Sequence, residues 1–417
     1  MKHPETPPAP RVTPGSVLGP APDPDRRARA NVLRLAAAQA LAGANAAVVF
    51  ATGAIVGATL APDPAYATVP ISVFVVGMAA GTLPAGWIAR RYGRRAAFFA
   101  GTGCGAAMGL LAALAVLLAS FPLYCLATLL GGLYAAVVQS FRFAAADGAS
   151  PAFRPRALSW VMAGGVFAGV LGPQLVTWTM DLWAPYTFAA SYVAQAAVAL
   201  AAMAVLSGVD LPRPAAGERA AGRPLGEIVR RPSFVAAVVC GVVSYALMNL
   251  VMTSAPLAMR MCGLPVSASN WAIQWHIVAM YGPSFFTGSL IARFGAPRVV
   301  AAGLVVTLGA AAVGLSGVTA GHFSLALVLL GLGWNFGFTG ASAMVLQAHR
   351  PEERTRVQSL NDFLVFGTVA AGSFLSGGIL AARGWEAVNL VVFPPVALAF
   401  AVLAASGLFR RRPAAAG

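Results

Sequence analysis

Twelve apolar stretches, each long enough to cross a lipid bilayer, constrain this chain more than any other feature. A membrane helix needs about 20 mostly apolar residues to span a hydrocarbon core about 30 Å thick. In the first half such stretches run from Leu33 to Leu60, Val69 to Ala89, Ala96 to Leu118, Pro122 to Phe141, Leu158 to Met180 and Pro185 to Ser207. Six more run from Phe234 to Leu257, Ser267 to Ala292, Val299 to Val318, Phe323 to Gln347, Phe363 to Ala382 and Ala387 to Phe409. A bilayer interior has no water to satisfy backbone groups, so each stretch must close its own hydrogen bonds as a helix. The expected fold class is an all-α membrane protein with twelve transmembrane helices in two six-helix halves.

Between the halves lies a polar stretch rich in Pro, Arg and Ala. The expected division is a disordered cytoplasmic tail over 1–32, an N-terminal bundle over 33–207, a cytoplasmic linker over 208–232, a C-terminal bundle over 233–409 and a short tail over 410–417. The first 30 residues hold eight prolines and no apolar core, which argues against a cleaved signal peptide. Only 10% of the chain is charged while 59% is hydrophobic, a balance that excludes soluble enzyme classes. No nucleophile, base and orienting group stand at a workable spacing, so no catalysis is expected. The four cysteines, Cys104, Cys125, Cys240 and Cys262, have neither zinc-type spacing nor the density of a disulfide framework.

Orientation follows from the 28 Lys and Arg residues, since short loops rich in them stay cytoplasmic. With the amino terminus inside, 26 are inside and only Arg260 and Arg383 are outside. Both termini are therefore expected in the cytoplasm, and the family resemblance given below implies a bacterial inner membrane. The net charge of +15 is a topology signal shared among loops. The lipid bilayer is the partner it implies, and nucleic acid is not.

The halves repeat a loop. Gly86-Trp87-Ile88-Ala89-Arg90-Arg91-Tyr92-Gly93-Arg94-Arg95 follows the second stretch, and Gly288-Ser289-Leu290-Ile291-Ala292-Arg293-Phe294-Gly295-Ala296-Pro297-Arg298 follows the eighth. Both space their glycines by seven and continue into Arg. This resembles the loop signature of the major facilitator superfamily, with Arg90 standing where that loop usually carries an acid. The resemblance covers about Leu33 to Phe409 and implies substrate binding near the midplane, between two halves that rock.

Ionisable groups at membrane depth are functional candidates by default, and this chain has few. Asp147 and Asp362 lie near helix ends, where pairing with Arg154 and Arg356 is expected. His276 sits well inside the eighth stretch. Met248 and Met252 on the seventh helix, and His276 and Met280 on the eighth, are each four apart. That spacing puts both members of a pair on one helix face, about 6 Å apart along the axis. Three thioethers and an imidazole suit Cu(I) and suit Mg, Ca or Mn poorly. Met is also an ordinary filler of apolar gaps, so packing is the competing reading.

The Met-x-x-x-Met and His-x-x-x-Met pairs resemble the motifs of the CcoA-type copper importers, a branch of the same superfamily. Carried over residue by residue, the resemblance makes Met248, Met252, His276 and Met280 a copper site. It implies a copper importer that supplies cytochrome c oxidase (cbb3-type) assembly, with copper, as Cu(I), the transported substrate. No permanent cofactor is implied, and the downstream copper chaperone is unspecified. Cys240 toward the cytoplasm and Met259, Met261 and Cys262 at the outer end suggest a relay and an outer capture site. The alternative is a proton-coupled exporter of small organic molecules or drugs. Gly165, Gly169, Gly172 and Pro173 on the fifth helix favour it, although Gln174 breaks the glycine pattern expected of drug/proton antiporters.

Overall fold

The computed structural model describes residues 25–63, 66–211 and 223–408. The expectations for the tails over 1–24 and 409–417, and for 212–222 of the linker, lie outside the described residues. The first half comprises α1 (Arg26–Leu60), α2 (Val69–Tyr92), α3 (Arg94–Leu117), α4 (Phe121–Gln139) continued by α5 (Phe141–Asp147), α6 (Arg154–Thr179) and α7 (Ala189–Ser207). After the short α8 (Leu225–Val229) the second half comprises α9 (Pro232–Met261), α10 (Val266–Tyr281), α11 (Ser284–Phe294), α12 (Ala296–Ser316), α13 (Ala320–Ala348), α14 (Arg354–Leu390) and α15 (Phe393–Ala405).

Among the described residues ten helices are long and apolar enough to cross a bilayer. The two remaining passages of the twelve are the eighth, split into α10 and α11, and the eleventh, the first part of α14. Within α14 the backbone turns sharply at Gly384, whose φ is 73°, and that turn separates the eleventh passage from the twelfth. Helix α1 begins at Arg26, so residues 26–32, assigned above to the tail, are helical. The arginines there carry the helix past its apolar run into polar surroundings.

The eighth passage is broken where the sequence suggests one continuous stretch. Pro283 has no N–H to offer the preceding turn, and its loss frees polar backbone in an apolar setting. Asn335 on α13 braces the break: its Nδ2 donates to the Met280 carbonyl and to Ser284 Oγ, both at 2.6 Å, and its Oδ1 accepts from Thr287 Oγ1 at 2.6 Å.

The repeated loop has a structural reason in both copies. Gly93 and Gly295 take φ values of 91° and 85° at the turns into α3 and α12, a region that L side chains rarely enter. The glycines seven residues earlier touch the opposite half. A Cβ on Gly86 would collide with Ser359 of α14, and one on Gly288 would lie 2.6 Å from the Pro155 carbonyl of α6. Small residues permit this backbone approach. The halves therefore meet along α2 with α14 and along α6 with α10 and α11.

Candidate substrate cavity

A cavity of about 1060 Å³, open mouth included, lies between the halves. Its walls come from α1, α2, α4 and α6 on one side and from α9, α10 and α14 on the other. Small side chains on α1 leave the gap: Ala42, Gly43, Ala46 and Ala47 form much of its wall. Phe50 and Phe74 meet edge to face with ring centres 5.7 Å apart, and Met248, Met252 and Met280 form an apolar face opposite.

Polar groups are few and placed. Gln39 is only 7% exposed, and its carboxamide has no hydrogen-bond partner among the described residues. Gln139 uses its Oε1 to accept from Arg142 at 3.3 Å, which leaves its amide N–H groups for the cavity. The hydroxyls of Tyr245 and Tyr281, also in the lining, have no partner among the described residues either. Their rings belong to a column: Trp334 lies 5.6 Å from Tyr245 and 5.5 Å from Tyr281, and Phe338 stacks on Trp334 at 5.3 Å.

That column ends on an ion pair that joins the halves. Arg142 of α5 is 1% exposed and inserts between Phe143 and Phe338, with ring centres 4.4 and 4.7 Å from its guanidinium carbon. Its Nη2 donates to Asp362 Oδ1 of α14 at 2.5 Å, its Nε to Ser342 Oγ of α13 at 3.2 Å, and its Nη1 to the Gln139 carbonyl. Arg142 is three residues beyond Gln139, so the pair lies about 5 Å along the helix from the cavity floor. A second link stands nearer the arginine-rich end: Arg94 Nη2 donates at 2.5 Å to both Asp147 Oδ2 and Gln358 Oε1 of α14. These contacts close that end of the molecule.

The predicted pairings of the two acids are thus corrected. Asp147 pairs with Arg94 and Asp362 with Arg142; Arg154 Nε instead donates to the Ala149 carbonyl, and Arg356 to the Arg223 carbonyl. Sequence neighbours lost to partners brought in from other helices. Arg142, counted above among the loop cations, is the site residue that sequence reasoning missed. Its flanking Phe141 and Phe143 at the end of an apolar stretch were the available signal.

Of the four predicted ligands, Met248, Met252 and Met280 line one cavity wall. His276 is not among the lining residues; it is fully buried toward α13, with Nδ1 2.7 Å from the Leu327 carbonyl and Nε2 unpartnered. Four residues of helical spacing align His276 with Met280 only approximately, and the α13 backbone captures the ring. Cys240 and Met259 are buried in packing, Met261 is 62% exposed, and Cys262 is exposed, so the outer residues point apart and none lines the cavity.

The Major Facilitator Superfamily family model matches residues 35–282 and 237–417. The chain belongs to the major facilitator superfamily. It is 49% identical over 374 residues to the riboflavin transporter RfnT of Brucella anthropi, covering 89% of this chain and 94% of that protein. It is 28% identical over 370 residues to the uncharacterized MFS-type transporter YdeG of Bacillus subtilis, covering 85% of this chain and 86% of that one. Among solved structures, the E. coli fucose:proton symporter FucP superposes with a TM-score of 0.71 at 14% identity, covering 92% of this chain and 98% of that one. A bacterial homologue of ferroportin in its outward-facing state gives 0.69 at 13% identity, over 92% and 99%. Both show the shared fold.

The relation to RfnT overturns copper import as the reading of this chain, and with it a supply of copper to oxidase assembly. Thioethers at helical spacing are common in membrane packing, and here three of them coat a cavity wall while the imidazole does not join them. Nor does the relation support proton-coupled drug export, and that alternative is not carried forward.

Proposed function

We propose that this chain carries riboflavin across the membrane by alternating access. The observation behind this reading is the 49% identity to a riboflavin transporter, spread over 89% of the chain. The cavity suits such a cargo. Ligand pockets of drug-sized molecules combine apolar walls with a few placed polar groups. A flat flavin ring system stacks on aromatic faces, which Tyr245, Tyr281, Phe50 and Phe74 supply. Its polar edge both donates and accepts hydrogen bonds, as the carboxamides of Gln39 and Gln139 do. The soft thioethers of Met248, Met252 and Met280 adapt to the remaining ring surface.

In this reading the arginine-rich end faces the cytoplasm, in a bacterial inner membrane, with both termini on that side. The bundles over 33–207 and 233–409 are the bodies that rock, joined by the linker over 208–232. The Arg142–Asp362 pair holds the cytoplasmic end shut while cargo loads from the other side. The test is riboflavin accumulation in a bacterium that can neither make nor take up riboflavin, with and without the full chain. Expression should restore growth at limiting riboflavin, and Tyr281→Ala should weaken the rescue at equal protein levels. No accumulation from a chain shown to be inserted in the membrane would sink the proposal.

A further inference from the structure

We infer that the cavity admits its cargo only in an uncharged, dephosphorylated form; this rests on the flavin reading above and names the chemical class that the site discriminates. The lining combines carboxamides, phenols, thioethers and hydrocarbon, and among the described residues that line it none carries a formal charge. The nearest cation is Arg142, and each of its three guanidinium nitrogens already donates to the protein. It is held by Asp362, Ser342 and the Gln139 carbonyl, has Phe143 and Phe338 on its faces, and is 1% exposed. Asp362 also balances its charge, so the pair presents no net positive field to an anion above it.

The polar groups that face the cavity are neutral. Among the described residues the Gln39 carboxamide has no hydrogen-bond partner, so both its oxygen and its N–H groups are available to a ligand. A carboxamide presents a donor and an acceptor side by side, the pattern that pairs with an imide or amide edge. A phosphate needs cations or several convergent N–H groups instead. A phosphomonoester carries about −1.5 to −2 charges at neutral pH. Moving even one unpaired charge to mid-membrane lowers affinity by about 100-fold. The cavity thus takes riboflavin and excludes its 5′-phosphate, FMN, and any larger phosphorylated flavin.

The experiment uses the full chain in proteoliposomes free of phosphatase, with uptake of radiolabelled riboflavin and three unlabelled competitors. These are riboflavin, FMN, and the dimethyl ester of FMN, which keeps the bulk of the phosphate without its charge. The expected result is that FMN needs about 100-fold more than riboflavin for half-inhibition, while the neutral ester stays within about tenfold of riboflavin. FMN competing within a few-fold of riboflavin overturns the inference and leaves the flavin reading standing. An ester as weak as FMN also overturns it, since exclusion is then by size. If riboflavin itself is not taken up, the flavin reading fails and this inference fails with it.

Discussion

Replacing Asp362 by Asn should unlock the arginine-rich end. In the structure Arg142 is a buried cation with a single charged partner, 2.5 Å away across the interface between halves. Removing one member of a buried pair leaves the other charge uncompensated, at a cost of about 3–5 kcal/mol. Asn keeps a hydrogen-bond acceptor, and Ser342 and the Gln139 carbonyl remain, so the lower bound of about 3 kcal/mol applies. The cost falls only on the state in which Arg142 is buried, because separation of the halves lets water reach it. An equilibrium shift of about 3 kcal/mol is roughly 150-fold, and a chain resting about nine-tenths closed at this end would fall to about one-twentieth. Spin labels at Arg95 and Glu352, both exposed and on opposite halves, report the separation by pulsed electron resonance in a background without the four cysteines. The short-distance population should give way to a longer one in Asp362→Asn. The double variant Arg142→Gln/Asp362→Asn should recover much of the short population, since no unpaired charge is left. An unchanged distance distribution in the single variant, or a double variant as open as the single, refutes the reasoning.

Other perturbations test separate parts of the structure. Hydrogen bonds from the Arg223 side chain, together with the Arg350 and Arg223 backbone N–H groups, hold the Glu353 carboxyl down at about 2. A depressed acid stabilises above its unfolded value of about 4.3 and loses that contribution as pH falls through the folded value. The docking of the linker end should therefore hold at pH 5 and weaken between about pH 4.3 and 2, read by hydrogen exchange over 223–231; Arg223→Gln, which keeps the two backbone donors, should reduce the pH dependence. Asn335→Leu strands the Met280 carbonyl at the break in the eighth passage, so a loss of about 1–3 kcal/mol is expected as a lowered Tm in detergent; an unchanged Tm would show that the break is satisfied otherwise. Changing Met248, Met252 and Met280 together to Leu conserves volume and apolarity, and riboflavin uptake should stay within a few-fold of wild type. Its abolition would mean that sulfur itself is needed.

The passages of the fold were legible because the bilayer imposes one answer on an apolar stretch of this length. The repeated loop was equally legible, since Gly93 and Gly295 encode a backbone conformation and Gly86 and Gly288 a close approach. The split of the eighth passage was half visible in Gly282-Pro283, but whether a proline kinks or breaks a helix depends on what braces it, and Asn335 lies more than fifty residues away. Helical spacing placed Met248 and Met252 on one face, and they do share a wall. It carried no information on His276, whose ring turns toward the Leu327 carbonyl. Cargo was the least legible part, because thioether spacing looks the same whether sulfur binds a metal or coats a cavity.

By itself the sequence determined the membrane solvent, the number of passages, the charge asymmetry between the two ends and the glycine turns of the repeat, all of which depend on residues within about one helix length of each other. Tertiary structure alone decided that Arg142 meets Asp362, that Arg94 bridges Asp147 to Gln358, and that Gln39, Gln139, Tyr245 and Tyr281 converge on one uncharged cavity. A partner in a low-dielectric interior is chosen by which helices pack together. The competing neighbours in sequence, Arg154 and Arg356, found backbone carbonyls instead.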